Sequence, residues 1–216
     1  MDKMKKSYSI YFKDKKFIIS FLTGVFLLGI SIFIQYFAIN YATRIASEPV
    51  TDIILSNTRV YDVDLIFVYG AIFMGFVMLF IGVVRPRYFP FALKSIAVFV
   101  VIRSFFIILT HVSPYYPHVA ISTVYFGKYL NNIFTGNDLF FSGHTGLPFL
   151  MALMFWDDKT LRYVFLSFSI IFAVVVLLGH LHYSIDVAAA FFITYTIFHI
   201  CKFIFKKDWK LFYATL

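Results

Sequence analysis

The sequence is short of charge and of cysteine. Only 14% of its 216 residues are Asp, Glu, Lys or Arg, against about 25% in an ordinary soluble domain. That is too few to cover a water-soluble surface, and it excludes an intrinsically disordered chain as well. A single cysteine, Cys201, permits neither an internal disulfide nor a cysteine-based zinc site. Acidic residues are the scarcer sign, 11 against 19 Lys and Arg, which leaves a formal net charge of +8. No nucleic-acid-binding module, internal repeat or low-complexity tract stands out, so no nucleic-acid partner is expected. What the chain does have is apolar: 61% hydrophobic and 22% aromatic residues, with 30 Phe. Residues 1–216 read as a single domain of a polytopic membrane protein.

The first apolar run, Phe17 to Ala38, follows a basic flank over residues 1–16 that holds six lysines. As a helix it is roughly 30 Å long, enough to span a bilayer and too long for a signal-peptide core. With no small-residue cleavage site after it, an uncleaved signal-anchor is expected. Further runs cover about Leu65 to Val84, Phe91 to Thr110, Leu139 to Trp156, Tyr163 to Gly179 and Ile185 to Phe205. The expected fold is therefore all-α, an integral membrane bundle of six transmembrane helices. The fourth run is interrupted by Ser142, Gly143, His144, Thr145 and Pro148, polar or helix-breaking groups that need protein or water around them at membrane depth.

Basic residues orient the bundle. Fifteen of the 19 lie in the basic flank, around Arg85, Arg87 and Lys94, at Lys159 and Arg162, or in the C-terminal segment from Lys202 to Lys210. The alternate segments hold only Arg44, Arg59 and Lys128, with Arg103 inside the third run. The positive-inside rule puts both termini in the cytoplasm and the loops at about 39–64 and 111–138 outside.

Ionisable residues inside membrane spans are costly and rare, which makes each one a candidate for function. In the expected orientation Asp138, His144, His180, His182 and Asp186 all fall at the outer ends of the last three spans. His144 and His182 are separated by two crossings, so the chain returns to the same side. His182 and Asp186 are four residues apart, so if the sixth span begins just before them they lie on one helical face. A carboxylate on one imidazole nitrogen fixes the tautomer and leaves the other able to attack phosphorus or abstract a proton. His144 can then protonate a leaving oxygen, and backbone N–H groups around Ser142, Gly143 and Thr145, at a helix start, can hold phosphoryl oxygens. Three imidazoles and a carboxylate are also acceptable zinc ligands, but a Ser-Gly-His-Thr segment has no metal rationale.

Two segments carry a family resemblance: Asp138-Leu-Phe-Phe-Ser142-Gly143-His144-Thr145, and Gly179-His180-Leu-His182-Tyr183-Ser-Ile-Asp186-Val187 with its continuation to Phe198-His199. They resemble the type 2 phosphatidic acid phosphatase superfamily, most closely its sphingomyelin synthase-like branch, over about residues 137–200. Arg103 with Thr110 resembles that branch's arginine motif, and Glu48-Pro49-Val50-Thr51-Asp52 is a faint echo of its first extramembrane motif. The resemblance implies a core region at 137–205 with a His-His-Asp triad: His182 as nucleophile forming a phosphohistidine, Asp186 orienting it, His144 as acid and then base. It implies no metal or other cofactor.

The implied partners are a membrane phospholipid and an acceptor, either water or a lipid alcohol such as ceramide or diacylglycerol. Water as acceptor makes the protein a phosphatase or phospholipase C-like hydrolase; an alcohol makes it a headgroup transferase.

Departures from the family narrow the substrate. The phosphatase branch has an arginine six residues before its nucleophilic histidine, where this chain has Val176, and its upstream lysine position is Met78. A monoester dianion would meet few cations, which favours a phosphodiester with Arg103 as phosphate ligand; a phosphatidic acid phosphatase is the alternative. The synthase branch has an acid between the two histidines, where this chain has Leu181, so transfer to ceramide does not follow.

Several residues have plainer readings alongside. Asp138 suits a partner for a catalytic histidine or a helix N-cap, and His180 and Tyr183 are candidates to line the site. Arg103 can also pair with an intramembrane carboxylate or snorkel outward. His111 and His118 belong to an outer loop. His199 lies roughly 20 Å along its helix from Asp186 and cannot join the chemistry. A non-catalytic lipid-binding or transport scaffold is the reading from another class, but it requires no gathering of three ionisable groups at one depth.

Overall fold

The computed structural model describes residues 8, 11–119 and 139–214. Among these residues the chain forms seven α-helices and no strands. Helix α1 runs Lys15–Arg44, α2 Asp64–Val84, α3 Phe89–Leu109, α4 Gly143–Met154, α5 Lys159–Leu178, α6 Ser184–Ile204 and α7 Lys206–Tyr213. The helix starts follow local chemistry. Asp14 and Asp158 cap α1 and α5, accepting the N–H groups of Lys16 at 2.9 Å and Leu161 at 3.1 Å. Pro86 and Pro90 sit at the entry to α3, where a missing N–H costs nothing.

Five helices, α1, α2, α3 with its preceding turn, α5 and α6, are long and apolar enough to cross a membrane. The fourth run, expected over Leu139–Trp156, is helical only from Gly143 to Met154. Its 12 residues make a rod about 18 Å long. Leu139, Phe141 and Ser142 approach it as buried non-helical chain, because Ser142 caps the helix three residues into the run.

Despite its length α4 is the centre of the bundle. Leu150, Ala152 and Met154 are wholly buried, and α3, α5 and α6 surround the helix. At Gly146 an added Cβ would come within 2.8 Å of Thr194 Oγ1 on α6 and 2.9 Å of the Phe99 ring on α3. Only glycine allows this approach. By contrast α1 packs on α3 along a narrow stripe that includes Gly24, Ser31, Ala38 and Ala42, small residues of the kind that let membrane helices meet closely. It presents Ile19, Leu22, Phe26, Phe33 and Phe37 outward.

The helices alternate in direction, so the bundle has two ends. At the terminal end α7 closes the bundle. Asp208 accepts from Lys94 Nζ at 2.7 Å and from Ser20, joining α7 to α3 and α1. Trp209 and Phe212 pack on Phe91, Tyr88 and Phe155, and Tyr213 donates its hydroxyl to the Met154 carbonyl at the end of α4. At the opposite, loop end, the segments at 45–63 and 110–119 meet the starts of α4 and α6.

Candidate functional site

The site is assembled at the loop end, where two helices begin side by side. Ser142 Oγ accepts from the N–H of Thr145 at 3.3 Å and from its hydroxyl at 3.1 Å, while the N–H of Gly146 bonds to Ser142 O. A helix start leaves its first N–H groups without intrahelical partners. Those of Gly143 and His144 have none among the described residues. The Ser142 N–H donates to the backbone carbonyl of Asp186 at 3.2 Å, which fastens the start of α4 to the first turn of α6. Ser142 and Thr145 are themselves fully buried, and the Thr145 carbonyl accepts from Ser169 Oγ on α5 at 2.8 Å. Their side chains brace the helix start.

Arg103 reaches this helix start from α3. It is 4% exposed, and its Nε donates to Phe141 O at 2.8 Å. Its guanidinium lies so close over Gly143 that an added Cβ would meet Nε at 3.2 Å and Cζ at 3.3 Å. A buried cation therefore sits beside two backbone N–H groups, an arrangement suited to phosphate oxygens.

The histidines complete it. His144, on the first turn of α4, has its ring 4.0 Å from that of Phe67 on α2 and edge-on to Phe172 on α5 at 5.6 Å. Both His182 and Arg103 lie within electrostatic reach of it. His182 Nδ1 is 3.5 Å from Asp186 Oδ2, with both side chains almost wholly buried, and among the described residues Nδ1 makes no hydrogen bond. Asp186 Oδ2 also accepts the Tyr183 N–H at 2.9 Å, so the carboxylate is held by the backbone it caps. His182, Asp186, His144, Arg103 and Gly143 are thus brought to one place from three helices.

Other expected site residues are placed differently. His180 adopts φ 53°, a left-handed conformation unusual for a non-glycine residue. Its Nδ1 is 2.9 Å from Pro117 O and its Nε2 3.3 Å from Thr58 Oγ1. Tyr183 donates its hydroxyl to Ser113 O at 2.7 Å and accepts the Val50 N–H at 3.2 Å. Both side chains are engaged in holding the two loops to the turn that carries His182. Asp138 lies outside the described residues. His199 is exposed and bonded within its own helix to Tyr195 O. No group of three metal-ligating side chains occurs among the described residues.

Asp52 has a larger part than its sequence context foretold. Its Oδ2 accepts the Ser184 N–H at 2.7 Å, and its Oδ1 accepts those of Ile54 at 2.8 Å and Leu55 at 3.0 Å. Burial alone would raise its pKa, but the hydrogen bonds from Leu55, Ser184 and Ile54 together outweigh it and hold the carboxyl below its ordinary value. Its position in the Glu48–Asp52 echo was the only sequence signal; the contact to α6 spans 132 residues of chain. Phe67 was invisible in the same way, one phenylalanine among 30.

Residues 135–203 match the family model described as PAP2 superfamily C-terminal, which supports placing the chain in that superfamily. The matched segment contains His144, His182 and Asp186, whereas Arg103 and Asp52 lie before it. No curated protein and no solved structure matches the chain.

Proposed function

We propose that the protein is an integral membrane lipid phosphotransferase or phosphohydrolase that works on a phospholipid headgroup through a phosphohistidine at His182. The family match and the five apolar helices support a membrane phosphatase-type protein. The observation that carries the finer reading is the packing of the Arg103 guanidinium over Gly143 beside the His182–Asp186 pair.

With Nδ1 of His182 turned to Asp186, Nε2 is the nitrogen that attacks phosphorus. The bond from phosphorus to the leaving oxygen breaks, and His144 gives that oxygen its proton. In the second half His144 takes a proton from water or from a lipid alcohol, whose oxygen attacks phosphorus and releases His182. Arg103 and the N–H groups of Gly143 and His144 hold the non-bridging oxygens and take up the charge that develops on them. One guanidinium and a helix start suit the single negative charge of a phosphodiester, so sphingomyelin synthase-like transfer or phospholipase C-like hydrolysis is preferred to monoester cleavage. In this reading residues 139–156 make the sixth crossing, both termini are cytoplasmic, and the site opens to the extracytoplasmic leaflet.

Lipid mass spectrometry of the purified protein tests this. Wild type and His182→Ala are each given phosphatidic acid and a panel of phosphodiester lipids, with and without ceramide or diacylglycerol. Loss of a diester with appearance of a phosphorylated headgroup or a new headgroup-bearing lipid is expected from wild type alone. Inorganic phosphate released only from phosphatidic acid makes the protein a monoester phosphatase. Equal turnover by a folded His182→Ala variant overturns the mechanism.

A further inference from the structure

The two histidines of the site are seated differently. Nδ1 of His182 faces the Asp186 carboxylate, whereas the His144 ring makes no hydrogen bond among the described residues. The torsion that turns an imidazole about its own axis is broad, so a ring without such a bond keeps its plane only where packing fixes it. Two rings do so here. Phe67 lies against the face of His144 with centroids 4.0 Å and planes 34° apart, and Phe172 meets it edge-on at 5.6 Å and 62°. An edge-to-face pair needs about 5 Å between centroids, so the imidazole cannot turn edge-on to Phe67 while that ring stays in place. It stays because the start of α2 is tied to the turn between α5 and α6. The Tyr61 N–H donates to Leu178 O at 2.9 Å, and Val63 Cγ2 lies 2.6 Å from where a Cβ on Gly179 would stand. Three residues beyond Phe67, on the same face, Gly70 lets the Phe172 ring come within 3.2 Å of where its own Cβ would be. Most of α2 faces outward, and Phe67 is one of only four buried residues on it, with Val68, Met74 and Gly82.

We infer that Phe67 is a positioning residue for His144: its ring holds the imidazole in the plane from which it gives a proton to the leaving oxygen and then takes one from the acceptor. The inference rests on the phosphotransfer reading of this site and adds to it a residue of α2, outside the matched family segment. Proton transfer is productive only over a short, aligned path, and ring packing is what sets that alignment for His144. The face of a phenyl ring also attracts a protonated imidazole, so an aromatic side chain serves both states of the histidine. Leucine at position 67 keeps the place apolar but is smaller than the ring and has no such face, which leaves the imidazole free to turn.

The test uses the full chain in lipid nanodiscs, as wild type, Phe67→Leu and Phe67→Tyr, on two substrates. One is the phosphodiester lipid that wild type turns over fastest. The other is bis(p-nitrophenyl) phosphate: when the bond from Nε2 of His182 to phosphorus forms, its nitrophenolate leaves with the bond pair and needs no proton, whereas the lipid alkoxide needs the one on His144. On the lipid, Phe67→Leu should lower kcat about tenfold with KM within about twofold. Phe67→Tyr keeps the ring and should stay within about threefold of wild type. First-turnover release of nitrophenolate should change less than about twofold in either variant. The amplitude of that first turnover counts folded enzyme, so a loss of fold is not read as a loss of rate. Unchanged kcat on the lipid in Phe67→Leu, equal falls on the two substrates, or equal losses in Phe67→Leu and Phe67→Tyr overturns the positioning role and leaves the phosphotransfer reading standing. Wild type that turns over no diester overturns that reading, and the positioning role with it.

Discussion

At the loop end of the bundle, distant segments are joined by buried polar groups: Asp52 to the start of α6, Tyr183 to the carbonyl of Ser113, His180 to that of Pro117, Ser142 to the Asp186 carbonyl. At the terminal end the joining is done by stacked and tilted rings, Tyr88, Phe91, Phe155, Trp209 and Phe212, around the Lys94–Asp208 ion pair. Hydrogen bonds are directional and set angles, which two helix starts carrying His144 and His182 require. Ring packing fills space with little preference among directions and suits an end whose task is to hold the bundle shut. The comparison makes a separable claim: substitutions at the loop end should act on chemistry, and those at the terminal end on stability.

The largest effect is expected at Asp186. Asp186→Asn should lower kcat by about 10²–10⁴-fold in a protein that still folds, because His182 Nδ1 loses the carboxylate opposite it. Unchanged kcat would detach the pair from the chemistry. At the other end, Lys94→Met strands Asp208 as a buried charge and should cost about 3–5 kcal/mol. A lower thermal-inactivation midpoint with unchanged kcat in the surviving protein is the expected reading, and Lys94→Met with Asp208→Leu should recover most of it. A selective fall in kcat instead would erase the division between the ends.

Asp52 sharpens the comparison at smaller scale. Asp52→Asn keeps the shape of the side chain but weakens its hold on Ser184 and should reduce kcat about 5–10-fold. Its carboxyl pKa is depressed in the folded protein from a reference of 3.8. The stability its charge contributes is therefore fully present above about pH 3.8 and fades as pH falls through the lower folded-state value. Thermal midpoints of wild type and Asp52→Asn should differ at neutral pH and converge in acid. Least is expected of His199→Ala, which removes an exposed ring and should change turnover less than about twofold.

Much of this was legible in the residue order. Long apolar runs between charged breaks mark α1, α2, α3, α5 and α6, because burying a backbone in lipid demands an unbroken helix. The four-residue spacing of His182 and Asp186 pointed to their pairing, although His182 lies in the turn just before α6 rather than on the helix. Where the reading stopped short, one cause was local and the others were long range. The run expected to be a span over Leu139–Trp156 has enough apolar residues, but Ser142 captures the Thr145 N–H and starts the helix at Gly143. His180 and Tyr183 stand beside His182 in the chain and looked like lining residues, yet their polar atoms turn to loops 63 to 133 residues away.

By itself the order of residues determined that the chain is helical and membrane-embedded, where most helices begin and end, and which histidine faces which carboxylate. Each of these depends on hydropathy or on contacts within a turn or two of helix. Only the tertiary structure decided that Arg103 lies over Gly143, that Phe67 lies against His144 and that Asp52 caps α6. Those contacts join residues 40 to 132 positions apart, and no local pattern specifies such a meeting; it is fixed by which helices pack together and by how closely a glycine lets them approach.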